Sequence, residues 1–234
     1  MKILLIRNAR LRRILGILIP FVIIPAIVLF FSFGPGRKNY ALSSLLITLA
    51  AIVVFSCGFE RRKTGTRRLI IVAVMTAISV IGRFIFTAIP AFKPITAVVV
   101  ITAIYLGGEA GFLTGALSAL ISNFYFGQGP WTPFQMLSWG LIGLLAGALS
   151  APLKKSRIAL SLYGIFAGAV YSFIMDIWSV VWNNGSFNIT LYTAALATAL
   201  PHTIIYAVSN VVFLHLVSRP FGEKLDRIKI KYGC

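Results

Sequence analysis

Residues 69–89 read LIIVAVMTAISVIGRFIFTAI, an apolar run broken by a single charge, Arg83. A bilayer's hydrocarbon core needs about 20 mostly apolar residues per helical crossing, and this run meets that length. Similar runs lie on both sides of it. The 234-residue chain is 59% hydrophobic and 12% charged, against roughly 45–50% and 25% in soluble domains. That apolar excess must face lipid, and the spacing of the runs leaves no room for a sizeable soluble domain. The expected fold class is all-α, a polytopic membrane helix bundle.

The predicted spans are 14–33, 41–59, 69–89, 94–106, 110–126, 133–151, 158–180 and 200–217, with a small interfacial helix or structured loop over 187–199. The run from Ile14 to Phe33 follows a basic start, as in a secretory leader. It is too long for a leader core and has no small-residue cleavage site, so it is read as a retained helix.

The formal net charge is +17. Its cations cluster between apolar runs, the placement of topology signals and not of a nucleic-acid-binding face. Lys2, Arg7, Arg10, Arg12 and Arg13 precede the first span, and Arg61, Arg62, Lys63, Arg67 and Arg68 separate the second from the third. Lys154, Lys155 and Arg157 precede the seventh, and Arg219, Lys224, Arg227, Lys229 and Lys231 follow the eighth. With eight crossings all of these share one side, leaving Arg37, Lys38 and Lys93 on the other, so both termini are expected in the cytoplasm of a multi-pass cell-membrane protein. The basic segment at 60–68 divides the chain into a two-helix preface (1–68), a six-helix core (69–218) and a basic cytoplasmic tail (219–234).

Charges inside a span are informative because each costs about 2.5–3.5 kcal/mol even on the lenient insertion scale. Arg83 and Asp176 are the two in the core. At 1.5 Å rise per residue each stands roughly 6–9 Å below the outer end of its helix, so a pair at equal depth is feasible. Two readings stay open: the pair flanks an outward-facing binding site, or it is a salt bridge locking two helices.

Both residues lie on polar stripes at helical spacing: Thr76, Ser79, Arg83 and Thr87, and Ser172, Asp176, Ser179 and Asn183. His202, Tyr206 and Asn210 form a third stripe. No Cys or carboxylate stands at metal-ligand spacing from His202, which reads as a hydrogen-bonding histidine and a secondary pocket candidate. Cys57 and Cys234 have the spacing of neither a metal site nor a disulfide framework.

The stretch 123–135, NFYFGQGPWTPFQ, places Asn123, Tyr125, Gln128 and Trp131 around a Gly/Pro-rich turn, and Trp178, Trp182, Asn183 and Asn184 follow at another outer end. Aromatic faces with a few amides suit a large, mostly neutral, conjugated ligand, although an interfacial aromatic belt has the same composition. Gly111 and Gly115, Gly143 and Gly147, and Gly164 and Gly168 recur four apart, marking close helix contacts.

The core resembles the substrate-capture (S) components of energy-coupling factor (ECF) transporters. The residues that carry this are Ala73 and Ala77, the segment GRFIFTAIPAFKPITAVVVI (82–101) and the segment GGEAGFLTGALSALISNFYFGQGPWTPFQM (107–136). The resemblance implies a six-helix core that binds a vitamin from outside and then topples against a transmembrane coupling protein driven by two cytoplasmic ATPases. It also implies that Ala73 and Ala77 dock the coupling protein. Pocket loops would lie at 87–94, which holds Lys93, at 127–133, and at 182–190. The Gln128–Trp131 loop is most similar to the subset associated with cobalamin or its precursors, with another vitamin such as a flavin as the alternative. The two-helix preface departs from the six-helix pattern and raises the question of whether it shields the first core helix.

An intramembrane enzyme needs a catalytic constellation, and five acidic residues with two histidines provide none. A self-sufficient secondary transporter is a further rival, but no internal repeat is present. No Gly-Lys-Ser/Thr phosphate loop is present either, so no cofactor is expected in this chain and ATP would be consumed by partners.

Overall fold

The computed structural model describes residues 9–33, 40–59 and 65–232, and every regular element among them is helical. Helix α1 (Ala9–Leu18) runs through a π-helical turn (Ile19–Ile23) into α2 (Ile24–Phe33). Pro20 stands in that turn, and its missing N–H removes an α-helical bond, so a wider turn replaces it. Helix α3 (Tyr40–Phe59) returns, and α4 (Gly65–Ile85), α5 (Ile95–Leu106), α6 (Gly108–Phe126) and α7 (Thr132–Ala148) follow. A short α8 (Ser150–Lys155) leads into α9 (Arg157–Asn184) and α10 (Ile189–Tyr232). The result is a polytopic membrane helix bundle.

Among the described residues, four stretches are long and apolar enough to cross a membrane: 14–32, 67–85, 157–184 and 189–228. Helix α5, at 12 residues, is about 18 Å long at 1.5 Å per residue, short of a crossing of about 30 Å. Nearly all of α5 is buried, because α4, α6, α7 and α10 surround it. The core therefore gathers around α5, where Ile95, Ile101, Phe112, Met136, Ile142 and Leu214 are fully enclosed. Outside it stand Ile81, Ile85, Ile158, Leu162 and Leu216, large aliphatics exposed as a lipid-facing surface requires.

Glycine spacing sets the closest contacts. A Cβ on Gly143 would stand 2.5 Å from the Gly111 backbone, and one on Gly115 would stand 2.5 Å from that of Trp139. Glycine is what lets α6 and α7 touch, as the four-residue spacing implied. Gly164 and Gly168 serve α9 in the same way against α10.

Two sequence expectations change. Residues 187–199 are not a separate interfacial helix, since α10 runs unbroken through Pro201 and Pro220. In a membrane bundle neighbouring groups re-satisfy the backbone that a proline frees. Helix α4 also stops short of Ile89: residues 86–89 form successive turns, because Pro90 disfavours helical backbone before it.

The preface packs chiefly through α3 against α6 and α7, with α2 reaching α7 and α9. Ala73 and Ala77 on α4 are exposed. Near the start of α4, the buried Arg68 donates from Nη2 to the Leu106 carbonyl at 2.5 Å. This cation, read from sequence as a topology signal, also caps α5.

Candidate functional site

Arg83 occupies the last turn of α4, and its backbone direction carries the side chain inward, where it is 8% exposed. Its Nη1 donates to Ser122 Oγ at 2.5 Å and to Asn123 Oδ1 at 2.9 Å, both on α6. The guanidinium carbon lies 4.6 Å from the centre of the Phe126 ring and 5.4 Å from that of Trp139. Two neutral acceptors and two ring faces hold the charge, an arrangement that pays for desolvation without a carboxylate.

Asn123 continues the network. Its Nδ2 donates to Thr132 Oγ1 and to Gln135 Oε1, each at 2.8 Å, and Gln135 Nε2 donates to the Tyr171 hydroxyl at 3.2 Å. Tyr171 stacks on Trp139 with ring centroids 5.0 Å apart and packs against Tyr206 at 4.9 Å. Tyr206 accepts from Trp139 Nε1 at 2.8 Å and shares a 2.5 Å bond with Thr96. One connected group of polar atoms thus runs from α4 through α6 and α7 to α9, walled by aromatic rings of α6, α7, α9 and α10.

Lys93 closes one side. Its backbone N–H donates to Ser209 Oγ at 2.9 Å, and its ammonium lies 5.5 Å from the Phe126 ring centre. Burial, and then the charge of Arg83, hold that ammonium below the ordinary lysine value.

The loop after α6 is built from within. Gln128 Nε2 donates to the Leu120 carbonyl at 2.8 Å, and its Oε1 accepts from Thr132 at 3.0 Å. Gly127 has a φ of 95°, a conformation open chiefly to glycine. Trp131 lies edge-on to Trp178, centroids 5.8 Å apart.

Of the residues singled out in sequence, Arg83, Lys93 and Asn123 come together, and Gln128 joins them through Thr132. Trp131 stands in the loop between α6 and α7, against Trp178 of α9. Arg83 and Asp176 do not pair: Arg83 is held by Ser122 and Asn123, and the buried Asp176 Oδ2 has no hydrogen-bond partner among the described residues. The reason is register, since Tyr171 and not Asp176 is the α9 residue that faces the network. Tyr125 is 73% exposed, against Phe84 and Phe126. Trp182 and His202 are exposed, and Asn183 bonds to the Ser179 carbonyl of its own helix. These four stand apart from the Arg83 network.

Ser122, Phe126, Gln135, Trp139 and Tyr171 join the network without standing out in the sequence. The available signal was the four-residue step from Gln135 to Trp139, an amide and an indole on one face of an apolar span.

Residues 63–227 match the family described as "ECF-type riboflavin transporter, S component". The chain belongs to this S-component family. The match begins beside α4 and takes in the whole Arg83 network, leaving α1–α3 outside it. This S component is also 25% identical over 162 residues to a UPF0397 protein of Aliivibrio salmonicida, covering 65% of this chain and 86% of that one. No solved structure matches it. As a family of multi-pass transporter components, it fits both the apolar helices and the partner-dependent role expected from sequence.

Proposed function

We propose that this S component captures a planar heteroaromatic vitamin of the flavin class from the outer side, riboflavin foremost, at the Arg83 network. The observation that carries the reading is the convergence of Arg83, Asn123 and Gln135 with the rings of Phe126, Trp139, Tyr171 and Tyr206. Amides and a guanidinium match the carbonyl and imide edge of such a ring, and aromatic faces match its plane. The name of the matched family supports riboflavin.

A cobalamin or cobalamin-precursor ligand is the second reading, supported by the likeness of the Gln128–Trp131 loop to that subset. The bonds of Gln128 to Leu120 and Thr132 favour a shape-fixing role for this amide over ligand contact.

In the same proposal both termini are cytoplasmic and the exposed Ala73–Ala77 strip of α4 docks a transmembrane coupling protein worked by two ATPases. Packing of α3 on α6 and α7 is consistent with an uncovered α4. The chain itself binds and hands over its vitamin, with no cofactor of its own and no chemical step. Purification followed by absorbance and mass spectrometry of the retained small molecule tests the ligand class: a flavin is expected, and a corrinoid would establish the second reading instead.

A further inference from the structure

A cavity lies at the end of the bundle opposite the outer loops, where the C-terminal half of α5, helix α8, the first turn of α9 and α10 at Ser218 and Arg219 meet. It holds about 260 Å³. Its floor is apolar, with Ile104 and Leu153, and its rim carries Lys154, Lys155, Arg157 and Arg219. In the sequence these cations have the placement of topology signals.

Their pairing says more. Among the described residues no carboxylate pairs with Lys154, Lys155 or Arg157, and only Arg219 has one, Glu223 at 3.0 Å. The Lys154 ammonium lies 4.1 Å from the centre of the Tyr105 ring, which draws it toward the cavity. The acidic groups that act on Tyr105 from α10 are Glu223 and Asp226. Two acids therefore face four cations, and an excess of positive charge remains at the mouth. Arg219 follows directly on the apolar run of α10, so the rim stands at headgroup level, with an apolar floor beneath it on the membrane side.

We propose that this cavity seats the phosphodiester headgroup of an anionic phospholipid, its phosphate among Lys155, Arg157 and Lys154 and the start of its acyl chains on the apolar floor. Basic pockets between membrane helices at the cytoplasmic side have the charge and depth that such headgroups need. Assignment to the inner leaflet rests on the cytoplasmic termini proposed above. The apolar floor distinguishes a lipid from free phosphate, which would gain nothing from it.

The test is native mass spectrometry of the full chain released from nanodiscs holding equal phosphatidylglycerol and phosphatidylcholine, comparing wild type with Lys155→Gln/Arg157→Gln. Wild type is expected to retain phosphatidylglycerol preferentially. Each charge removed should weaken retention about fivefold, the loss implied by about 1 kcal/mol per basic residue near an anionic surface. Equal retention of the two lipids, or undiminished phosphatidylglycerol in the variant, overturns the site. Displacement by excess inorganic phosphate overturns the lipid assignment. Melting temperature and vitamin retention should be unchanged in the double variant, which separates this result from failure of the proposed vitamin site. If the double variant does not fold, Lys155→Gln and Arg157→Gln singly give the same reading.

Discussion

Arg83 of α4 donates to Asn123 of α6 at 2.9 Å, and Asn123 in turn donates to Thr132 and Gln135 at 2.8 Å. One amide therefore reads a cation through its oxygen and the α7 end through its nitrogen. The orientation of Asn123 follows from that arrangement, because a flipped amide would point its NH₂ at the guanidinium. The pair ties α4 to the helix that leads into the Gly127–Trp131 loop.

Replacing Arg83 by Ala removes two charge-assisted bonds and leaves Asn123 Oδ1 without its donor. In the proposed site the guanidinium also gives a charge-assisted bond to the vitamin, worth about 1.5–3 kcal/mol, so vitamin affinity should fall by at least about tenfold. Arg83→Lys should restore only part of it, because a single ammonium does not reproduce the planar fork. Titration of purified protein by fluorescence quenching checks both.

Asp176 offers the opposite expectation. With its Oδ2 buried and lacking a hydrogen-bond partner among the described residues, Asp176→Asn should leave thermal stability unchanged or raise it, since an uncompensated charge costs more than a neutral amide. The exchanged double variant Arg83→Asp/Asp176→Arg should not recover the binding lost in Arg83→Asp. Recovery would mean that the two side chains pair after all.

Tyr206→Phe keeps the ring against Tyr171 and deletes the oxygen that accepts from Trp139 and bonds Thr96. Loss of a buried acceptor costs about 1–3 kcal/mol, so the melting temperature in detergent should drop. A differential scan by intrinsic fluorescence gives the value.

Ala73→Trp or Ala77→Trp should abolish cellular uptake while the isolated subunit keeps its vitamin. Equal loss of both activities would remove the docking role from this strip. The exposure of both alanines, with the preface packed on α6 and α7, makes the separation of the two readouts the expected result.

Much of the bundle was legible in the sequence because apolar length and the four-residue glycine spacing are local signals. Helix α5 shows where length alone falls short: its 12 residues are fewer than a full hydrocarbon crossing needs, and the helices packed around it explain why so short and apolar a segment is stable. The site was harder to read. Arg83 and Asn123 stand out as polar groups in or beside apolar runs. Their partners Gln135, Trp139 and Tyr171 look like ordinary interfacial or core residues until three helices bring them to one point. Asp176 drew notice for its charge, yet whether it meets Arg83 depends on the rotation of α9, which no stripe of Ser and Asn fixes in advance. Ser172 on that stripe bonds Thr203 across the helix contact, a packing role with the same sequence signature as a pocket wall.

The most direct measurement is titration of riboflavin into the purified wild-type chain and the Arg83→Ala variant, followed by quenching of flavin and tryptophan fluorescence. Saturable one-to-one quenching in wild type, weakened at least about tenfold in the variant, is expected from the bonds lost with Arg83. Absence of saturable binding, or equal affinity in the two proteins, would contradict a flavin site built on Arg83.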